Sequence, residues 1–252
     1  MSADQYTRFK HLTYEGFRDL AADASLTPYE KIGFPDSYRA GKETEIFADI
    51  RRKLPDLDKH RQVVLDIGPG CTDVPSMMVD LCAANDHTLL LVDAPEMLSL
   101  IPDAPHVHKH AGRFPDDCAG LISENAGRVD VLVTYSVFHY VYAEGNVFRF
   151  VDECIRLLAE GGTMLIGDIP NVAKRKRFFA SPAGVRFHQE FMKTDDVPSV
   201  TFNCPEPGEI DDAVLLALIM RARSSGCDAY IMPQPPELPM ANRREDILIC
   251  KP

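Results

Sequence analysis

The stretch Val63-Val64-Leu65-Asp66-Ile67-Gly68-Pro69-Gly70-Cys71 decides the fold of this chain. An apolar run ends at an acidic residue and two glycines, and a helical pattern begins near Val74. Glycines let the backbone approach a ligand closely, and the free N–H groups at a helix start face that ligand. A dinucleotide fingerprint would have a third glycine at position 73, where Asp73 would repel a pyrophosphate. The stretch therefore predicts a buried strand and a turn that binds a nucleoside-like ligand lacking that phosphate pair.

Similar apolar runs recur along the chain with helical patterns between them. The runs are Val63–Ile67, Thr88–Val92, Val129–Thr134 and Thr163–Gly167, and the helical patterns cover Val74–Ala84 and Val147–Ala159. Runs that are apolar on both faces are typical of parallel strands covered by helices on two sides. Strand–helix alternation predicts βαβ units, hence an α/β fold with a doubly wound, mostly parallel sheet. Ala229–Met232 and Asp246–Cys250 predict a closing strand pair.

The flanking segments differ from this central pattern. Residues 1–60 are polar, rich in spaced aromatic residues, and interrupted by Pro28, Gly33, Pro35 and Gly41. Because proline and glycine interrupt helices, this segment predicts several short helices that form an N-terminal cap or lid. Towards the carboxyl end, helical patterns run from Lys174 through Met192 and over Asp211–Ser224.

Composition restricts the partners of the 252-residue chain. Its 27 basic and 38 acidic side chains give a net charge of −11, which disfavours a nucleic-acid partner. No apolar run approaches the ~18 residues that a membrane span needs. The start MSADQYTRFK lacks the apolar core of a signal peptide, so a cytoplasmic location is expected. Seven scattered cysteines without a CxxC pair favour reduced thiols over disulfides or zinc, and no metal centre is predicted.

Asp93 follows the second apolar run, where a carboxylate can accept two hydrogen bonds from ribose hydroxyls. Asp66-x-Gly68-x-Gly70, Asp93 and Leu158-Ala159-Glu160-Gly161-Gly162 resemble class I S-adenosylmethionine-dependent methyltransferases over roughly residues 60–170. The resemblance implies a seven-stranded sheet in the order 3-2-1-4-5-7-6 with strand 7 antiparallel, and S-adenosylmethionine as cofactor. It divides the methyltransferase domain, residues 61–252, into a cofactor-binding half (61–170), an acceptor-side insertion (171–227) and the closing strand pair (228–252).

The resemblance also implies where the cofactor binds. The glycine loop faces its methionine end, and Asp93 holds its ribose. The expected contacts in the methyltransferase core are Asp66, Gly68, Gly70, Asp93, Ala94, Met97, Gly112, Arg113, Phe114, Tyr135 and Ser136. The aromatic residues of the cap either cover the cofactor as a lid, with Tyr29 and Tyr38 as contacts, or simply pack the cap helices. Arg113 departs from the family, because many members carry an acidic residue there that reaches the adenine amino group. Adenine is therefore expected to rest on backbone groups and apolar packing against Phe114 and Met97.

In the resembling family the segment after the fourth strand, here Thr134 to Val141, passes beside the transferred methyl group. His139 is predicted either as a general base or as a residue that fixes this loop. Asp168, after the fifth strand, either orients the acceptor or hydrogen-bonds a loop. Magnesium chemistry is not expected, because the fourth strand ends in Thr134-Tyr135 rather than in a carboxylate.

These expectations combine into a methyltransferase that acts on a small-molecule acceptor. O-methylation is expected, because His139, Tyr135 and Asp168 offer proton acceptors and hydrogen-bond partners. The basic run Lys174–Arg177, with Arg186, either attracts an anionic or sugar-type acceptor or forms a solvated helix face. A non-catalytic S-adenosylmethionine-binding member and an aminopropyl-type transferase are the alternatives, and no oligomeric state is predicted.

Overall fold

A seven-stranded sheet forms the centre of the structure, a computed structural model that describes residues 12–252. Its strands are β1 (Val63–Ile67), β2 (Thr88–Asp93), β3 (Val107–Ala111), β4 (Val129–Tyr135), β5 (Leu158–Pro170), β6 (Asp228–Pro233) and β7 (Arg244–Cys250). They lie in the order β3-β2-β1-β4-β5-β7-β6, and β7 runs antiparallel to both of its neighbours. The predicted fold class, strand order and antiparallel β7 are confirmed.

Helices precede the sheet and alternate with its strands. They are α1 (Tyr14–Ala22), α2 (Pro28–Lys31), α3 (Asp36–Arg39), α4 (Glu43–Lys53), α5 (Asp73–Ala84), α6 (Pro95–Leu98), α7 (Ala119–Asn125), α8 (Phe138–Glu144), α9 (Val147–Leu157), α10 (Val172–Phe179), α11 (Pro182–Met192) and α12 (Asp212–Ser224). Short 3₁₀ turns cover Pro55–Asp58 and Ala241–Arg243. Residues 1–11 of the predicted cap lie outside the described residues, and its separation from residues 61–252 stays a prediction.

Both faces of the sheet are buried, as the apolar strands require. Val64 and Leu65 are adjacent in β1 but belong to different hydrophobic clusters, because successive side chains of a strand point to opposite faces. Leu89 and Leu90 in β2 divide in the same way. The carboxyl ends of the parallel strands are left as the open edge where α/β sheets bind ligands.

Two of the predicted helices differ from the structure by more than one residue. Helix α9 ends at Leu157 rather than Ala159, because Leu158 already pairs with Val129 in the sheet. The pattern from Lys174 to Met192 is two helices. The second begins at Pro182, which has no N–H to continue the first.

Among residues 12–252, no helix combines the length and apolar character needed to cross a membrane. The cytoplasmic location stays a prediction, and the amino-terminal segment on which it rests lies outside the described residues.

Candidate active site

A cleft of about 190 Å³ opens where β1, β2 and β4 end. The predicted cofactor contacts on its wall are Asp66, Gly68, Gly70, Asp93, Met97, Gly112, Arg113, Phe114, Tyr135 and Ser136. Ala94 lies behind this wall, packed with Met97 and Ala21. The fold therefore brings residues from four separate strand ends into one cavity.

The glycine loop after β1 lies against two other segments. Gly68 and Gly70 have φ angles of +73° and +71°, a region that L side chains rarely adopt. A Cβ at Gly68 would lie 2.4 Å from Val137 Cγ2, and one at Gly70 would lie 2.9 Å from Ile32 Cγ2. Glycine is therefore required at both positions, since the loop turns sharply while the cap and the segment after β4 contact it.

The Asp93 carboxylate stands at the end of β2 on the cleft wall. Its Oδ1 accepts a hydrogen bond from Ala94 N at 2.7 Å, and its Oδ2 accepts one from Gly70 N at 3.3 Å. Burial raises the pKa of Asp93 to about 6, although these two backbone donors act in the opposite direction. The strand end therefore holds this carboxylate in one orientation, facing the cavity.

Asp66 is a second carboxylate on the same wall, and it is only 5% exposed. Its side chain receives no hydrogen bond from residues 12–252. Burial, with the charge of Asp93 added, raises the pKa of Asp66 to about 8. A buried carboxylate of this kind fits a ligand that supplies a cationic or hydrogen-bond-donating group.

The N-terminal cap closes the cleft from above the sheet. Tyr14 and Phe17 of α1 line the cavity, and the Phe17 ring meets the Tyr140 ring edge-on at 4.6 Å. Arg18, which follows Phe17 directly in α1, forms an ion pair with Glu96 at 2.8 Å. The cap therefore contributes cavity wall as well as contacts that hold it against the core.

The two cap tyrosines that are expected to contact the cofactor do not line the cleft. The Tyr29 hydroxyl pairs with Glu43, and its side chain is not part of the cleft wall. Tyr38 lines a different cavity, described below. Tyr14 and Phe17 of α1 line the cleft instead, and a cofactor contact for Tyr29 and Tyr38 stays a prediction.

A buried ionic cluster joins the cap to the ends of β4 and β5. Arg39 Nη2 donates to Asp168 Oδ2 at 2.7 Å and also to Ser136 Oγ, and Ser136 in turn donates to Asp168. Arg244 Nη1 donates to the Asp168 carbonyl oxygen at 2.9 Å. Ser136 and Asp168 both have left-handed backbone conformations, with φ of +62° and +59°. Such strain costs about 1–3 kcal/mol per residue and persists where surrounding contacts fix it.

Asp168 is therefore a carboxylate already occupied by protein partners. It is 2% exposed and does not line the cleft. Burial raises its pKa, but Arg244 and Arg39 outweigh that effect and hold the pKa of Asp168 below its usual value. Asp168 orients Arg39 and Ser136, and those two side chains do reach the cleft wall.

Tyr135 and Gln234 extend this cluster away from the cleft. The Tyr135 ring lines the cavity, and Gln234 Nε2 donates to Tyr135 Oη at 3.4 Å and to Asp246 Oδ1 at 3.0 Å. Burial, with the nearby charge of Asp168, raises the pKa of Tyr135 well above its ordinary value. The phenol therefore stays protonated near neutral pH and serves as a hydrogen-bond donor rather than a proton acceptor.

Comparison with known proteins agrees with the sheet topology and the glycine loop. No protein-family model matches the chain. A ubiquinone biosynthesis O-methyltransferase from Caulobacter sp. (strain K31) is 27% identical over 185 residues, which cover 67% of this chain and 69% of that protein. The chain is similar to S-adenosylmethionine-dependent methyltransferases in sequence and in fold. This similarity confirms the predicted resemblance, the enzyme class and S-adenosylmethionine as the methyl donor.

Solved structures of low identity share the fold of this methyltransferase. The plantazolicin methyltransferase BpumL, in complex with SAH, has a TM-score of 0.56 and 13% identity over 99% of both chains. The CurJ carbon methyltransferase has a TM-score of 0.58 and 13% identity, covering 98% of this chain and 66% of that one. These likenesses establish a common architecture.

In this methyltransferase His139 lies beside the ionic cluster rather than on the cleft wall. Its ring contacts the Tyr140 ring at 3.8 Å between centroids, and its Nδ1 is buried without a partner among residues 12–252. Burial, Arg244 and Arg39 lower the pKa of His139 to about 3, against the opposing effect of Asp168. The imidazole is therefore neutral, and its low basicity favours the loop-fixing role of the two predicted for it.

The basic run Lys174–Arg177 is neutralised within the methyltransferase. Arg177 pairs with Asp212 at 2.5 Å, and Arg175 pairs with Glu206 at 2.6 Å. Charges that are paired in this way attract an anion weakly. Separately, residues 12–252 contain no group of three or more His, Cys, Asp or Glu side chains placed to hold a metal ion.

The sequence pattern did not single out Arg39, Gln234, Tyr14 or Phe17, all of which the fold brings to or beside the cleft. None of them belongs to a motif, and Arg39 meets Asp168 across 129 residues of chain. The aromatic spacing of residues 1–60 is the available signal; it predicts the cap but favours Tyr29 and Tyr38 over Tyr14 and Phe17.

Proposed function

We propose that this methyltransferase transfers a methyl group from S-adenosylmethionine to an oxygen atom of a small-molecule acceptor. The observation that carries the proposal is the enclosed cleft that holds the glycine loop, Asp93 and the unpartnered Asp66 on one wall. A cleft covered by the cap suits a small acceptor better than a macromolecule. Similarity to an O-methyltransferase supports oxygen as the acceptor atom.

The residues on the wall fit the three parts of this cofactor. We assign the ribose hydroxyls to Asp93, whose carboxylate retains acceptor capacity beside its two backbone donors. The methionine ammonium suits Asp66, and the methionine carboxylate suits Arg39, whose Nε is buried without a partner among residues 12–252. Adenine fits against Met97 and Phe114, which line the cleft and are buried.

When bound, S-adenosylmethionine supplies a sulfonium-linked methyl group that is already strongly electrophilic. The protein must then align the acceptor and allow its hydroxyl proton to leave. The new carbon–oxygen bond forms as the carbon–sulfur bond breaks, and the proton passes to solvent. Tyr135 stays protonated and His139 is a weak base, so neither side chain is suited to remove the hydroxyl proton of the acceptor. The main contribution of the protein is therefore to align the acceptor. An acceptor with an acidic hydroxyl, such as a phenol, fits such a site because it loses its proton without a strong base.

Isothermal titration calorimetry with S-adenosylmethionine, its demethylated product S-adenosylhomocysteine, and NAD tests the cofactor part. We expect micromolar-range binding of the first two and none of NAD, because Asp73 lies where a pyrophosphate would bind. Binding of NAD alone would overturn the proposal.

Methyl transfer from isotopically labelled S-adenosylmethionine to a panel of soluble phenols, followed by mass spectrometry, tests the reaction. Labelled methyl ethers are the expected products. Tight binding of S-adenosylhomocysteine without transfer to any hydroxyl compound would instead favour the non-catalytic alternative.

A further inference from the structure

A second cavity of about 740 Å³ lies between the α10–α11 pair and the chain from Gln234 to Arg243, and we name it the aromatic groove. Aromatic rings form one wall: Phe178, Phe179, Phe187 and Phe191. Phe178 meets Phe187 edge-on at 5.6 Å, and Phe187 stacks on Phe191 at 5.9 Å. One wall of the groove is therefore a continuous series of rings.

The facing wall of the groove is mostly apolar and carries little charge. It consists of Pro236, Leu238, Met240, Ala241 and Asn242, with Tyr38 from the cap. Arg243 also lines it, with its guanidinium 5.8 Å from the centre of the Phe179 ring. No acidic side chain is among the described residues around it. Flat aromatic molecules gain most from such a lining, because edge-on and stacked ring contacts add to simple apolar burial.

Gln234 provides a polar position within this apolar groove. The residue is 7% exposed, and its Nε2 is engaged by Asp246 at 3.0 Å. Its Oε1 is buried and has no partner within residues 12–252. A buried amide oxygen without a donor is unfavourable, so the site fits a ligand that brings a hydroxyl group.

The groove adjoins the cofactor cleft at two places. Gln234 lines the groove and contacts the hydroxyl of Tyr135, whose ring lines the cleft. In the cap, Tyr38 lines the groove, while its neighbour Arg39 lines the cleft. The groove therefore lies next to the cleft, on the other side of the Tyr135, Gln234 and Arg39 side chains.

We infer that the aromatic groove binds the methyl acceptor, and that this acceptor is a flat, largely apolar aromatic molecule with a hydroxyl group that donates to Gln234 Oε1. The inference rests on the proposed function and makes its acceptor specific. It replaces the anionic or sugar-type acceptor, because the cations of Lys174–Arg177 are paired with acidic residues and carbonyl oxygens. Arg243 lies over the Phe179 ring, a contact that suits a ring-lined site.

Fluorescence titration with 2-naphthol and 2-methoxynaphthalene tests the groove, and the absence of tryptophan from the chain keeps the protein background low. Phe179→Ser and Phe191→Ser are expected to weaken 2-naphthol binding about tenfold, since each removes a ring contact. Phe148→Ser is the matched control, because Phe148 is 42% exposed and lines neither cavity. Gln234→Met is expected to abolish the preference for 2-naphthol over its methyl ether. Calorimetry with S-adenosylhomocysteine should give unchanged affinity in both Phe→Ser groove variants.

Three results would overturn the groove assignment. They are competition between 2-naphthol and S-adenosylhomocysteine, equal 2-naphthol affinity in the groove variants and the Phe148→Ser control, and no binding of 2-naphthol by the unaltered protein. Because Phe191 is more than half exposed, its variant tests the groove even if Phe179→Ser unfolds. Groove binding that persists without any binding of S-adenosylhomocysteine would refute the proposed function and leave the groove supported.

Discussion

Replacing Asp66 with Asn is expected to stabilise the ligand-free protein and, at the same time, to weaken its binding of S-adenosylhomocysteine. The carboxylate is buried, receives no hydrogen bond from residues 12–252, and lies near a second carboxylate, Asp93. An ionised side chain in that position opposes folding, and the proposed function pairs it with the cationic ammonium group of the ligand. The two effects of one substitution therefore have opposite signs for stability and for binding.

The stability effect follows from the raised pKa of Asp66. Below pH 3.8 the carboxyl group is protonated in both states and has no net effect. Between pH 3.8 and about 8 the unfolded chain ionises while the folded protein stays protonated, so stability falls as pH rises. At pH 7 this linkage amounts to about 4 kcal/mol. A buried amide without a partner costs about 1–3 kcal/mol of that gain, which leaves a net stabilisation of about 1–3 kcal/mol.

The binding effect depends on the same carboxylate. A charge-assisted hydrogen bond to the ligand ammonium contributes about 1.5–3 kcal/mol, so Asp66→Asn is expected to raise Kd by roughly 10- to 150-fold at pH 8. In the unaltered protein the affinity should fall about tenfold per pH unit below pH 8, as the carboxyl group becomes protonated. The variant should lack that particular pH dependence.

Urea unfolding and calorimetry with S-adenosylhomocysteine between pH 6 and pH 9 measure both effects. Asp130→Asn is the control, because Asp130 accepts a hydrogen bond from Val63 N at 2.7 Å and lies outside the cleft. The control should lose a little stability and keep its affinity for S-adenosylhomocysteine. An Asp66→Asn protein that unfolds at lower urea than the unaltered protein, or that binds the ligand equally well at pH 8, would refute the reasoning.

Three other substitutions probe the remaining side chains of the site. Asp93→Ala should weaken S-adenosylhomocysteine binding by about 1–3 kcal/mol in calorimetry, because the ribose hydroxyls lose their acceptor, and unchanged affinity would contradict that assignment. Arg39→Met should lower the free energy of unfolding, measured by urea titration, by about 3 kcal/mol, because it leaves Asp168 buried without this partner. Adding Asp168→Asn to that variant should recover most of the lost stability. His139→Gln should leave kcat nearly unchanged, since the pKa of His139 is lowered to about 3, whereas a loss of ~10²–10⁴-fold with unchanged ligand affinity would restore the general-base role.

The sheet could be predicted from sequence because its signals are local. Val63–Ile67 is a strand with the predicted bounds, since a run that is apolar on both faces has few other stable environments. The boundary at Leu157 could not be predicted, because helical spacing continues to Ala159 and only pairing with Val129 ends the helix. Pro182 by itself indicates a helix break, but the amphipathic pattern continues across it to Met192 and predicts a single helix.

Within the site, the predictable residues are those that follow strands directly. Asp66 and Asp93 end or nearly end β1 and β2, so the topology places them at the ligand-binding edge as soon as the strands are recognised. Arg39 and Gln234 reach the same region from distant segments, and their places depend on how the cap and the chain before β7 pack. No periodicity or motif encodes such packing, so the sequence does not distinguish Tyr14 and Phe17, which line the cleft, from Tyr29 and Tyr38, which do not.

The two halves of this sheet edge treat buried charge in opposite ways. At β1 and β2, Asp66 and Asp93 have raised pKa values and no cationic side chain as a hydrogen-bonding partner among residues 12–252. At β4 and β5, Asp168 is neutralised by Arg39 at 2.7 Å, and Arg244 and Arg39 hold the pKa of Asp168 below its usual value. A carboxylate that is paired with a cationic side chain can keep its charge and position when a ligand binds, whereas a carboxylate without such a partner can pair with a cationic group of the ligand. Cofactor binding should therefore carry the pH dependence of the site, and the acceptor side should supply a rigid, nearly pH-independent wall against which the acceptor is aligned.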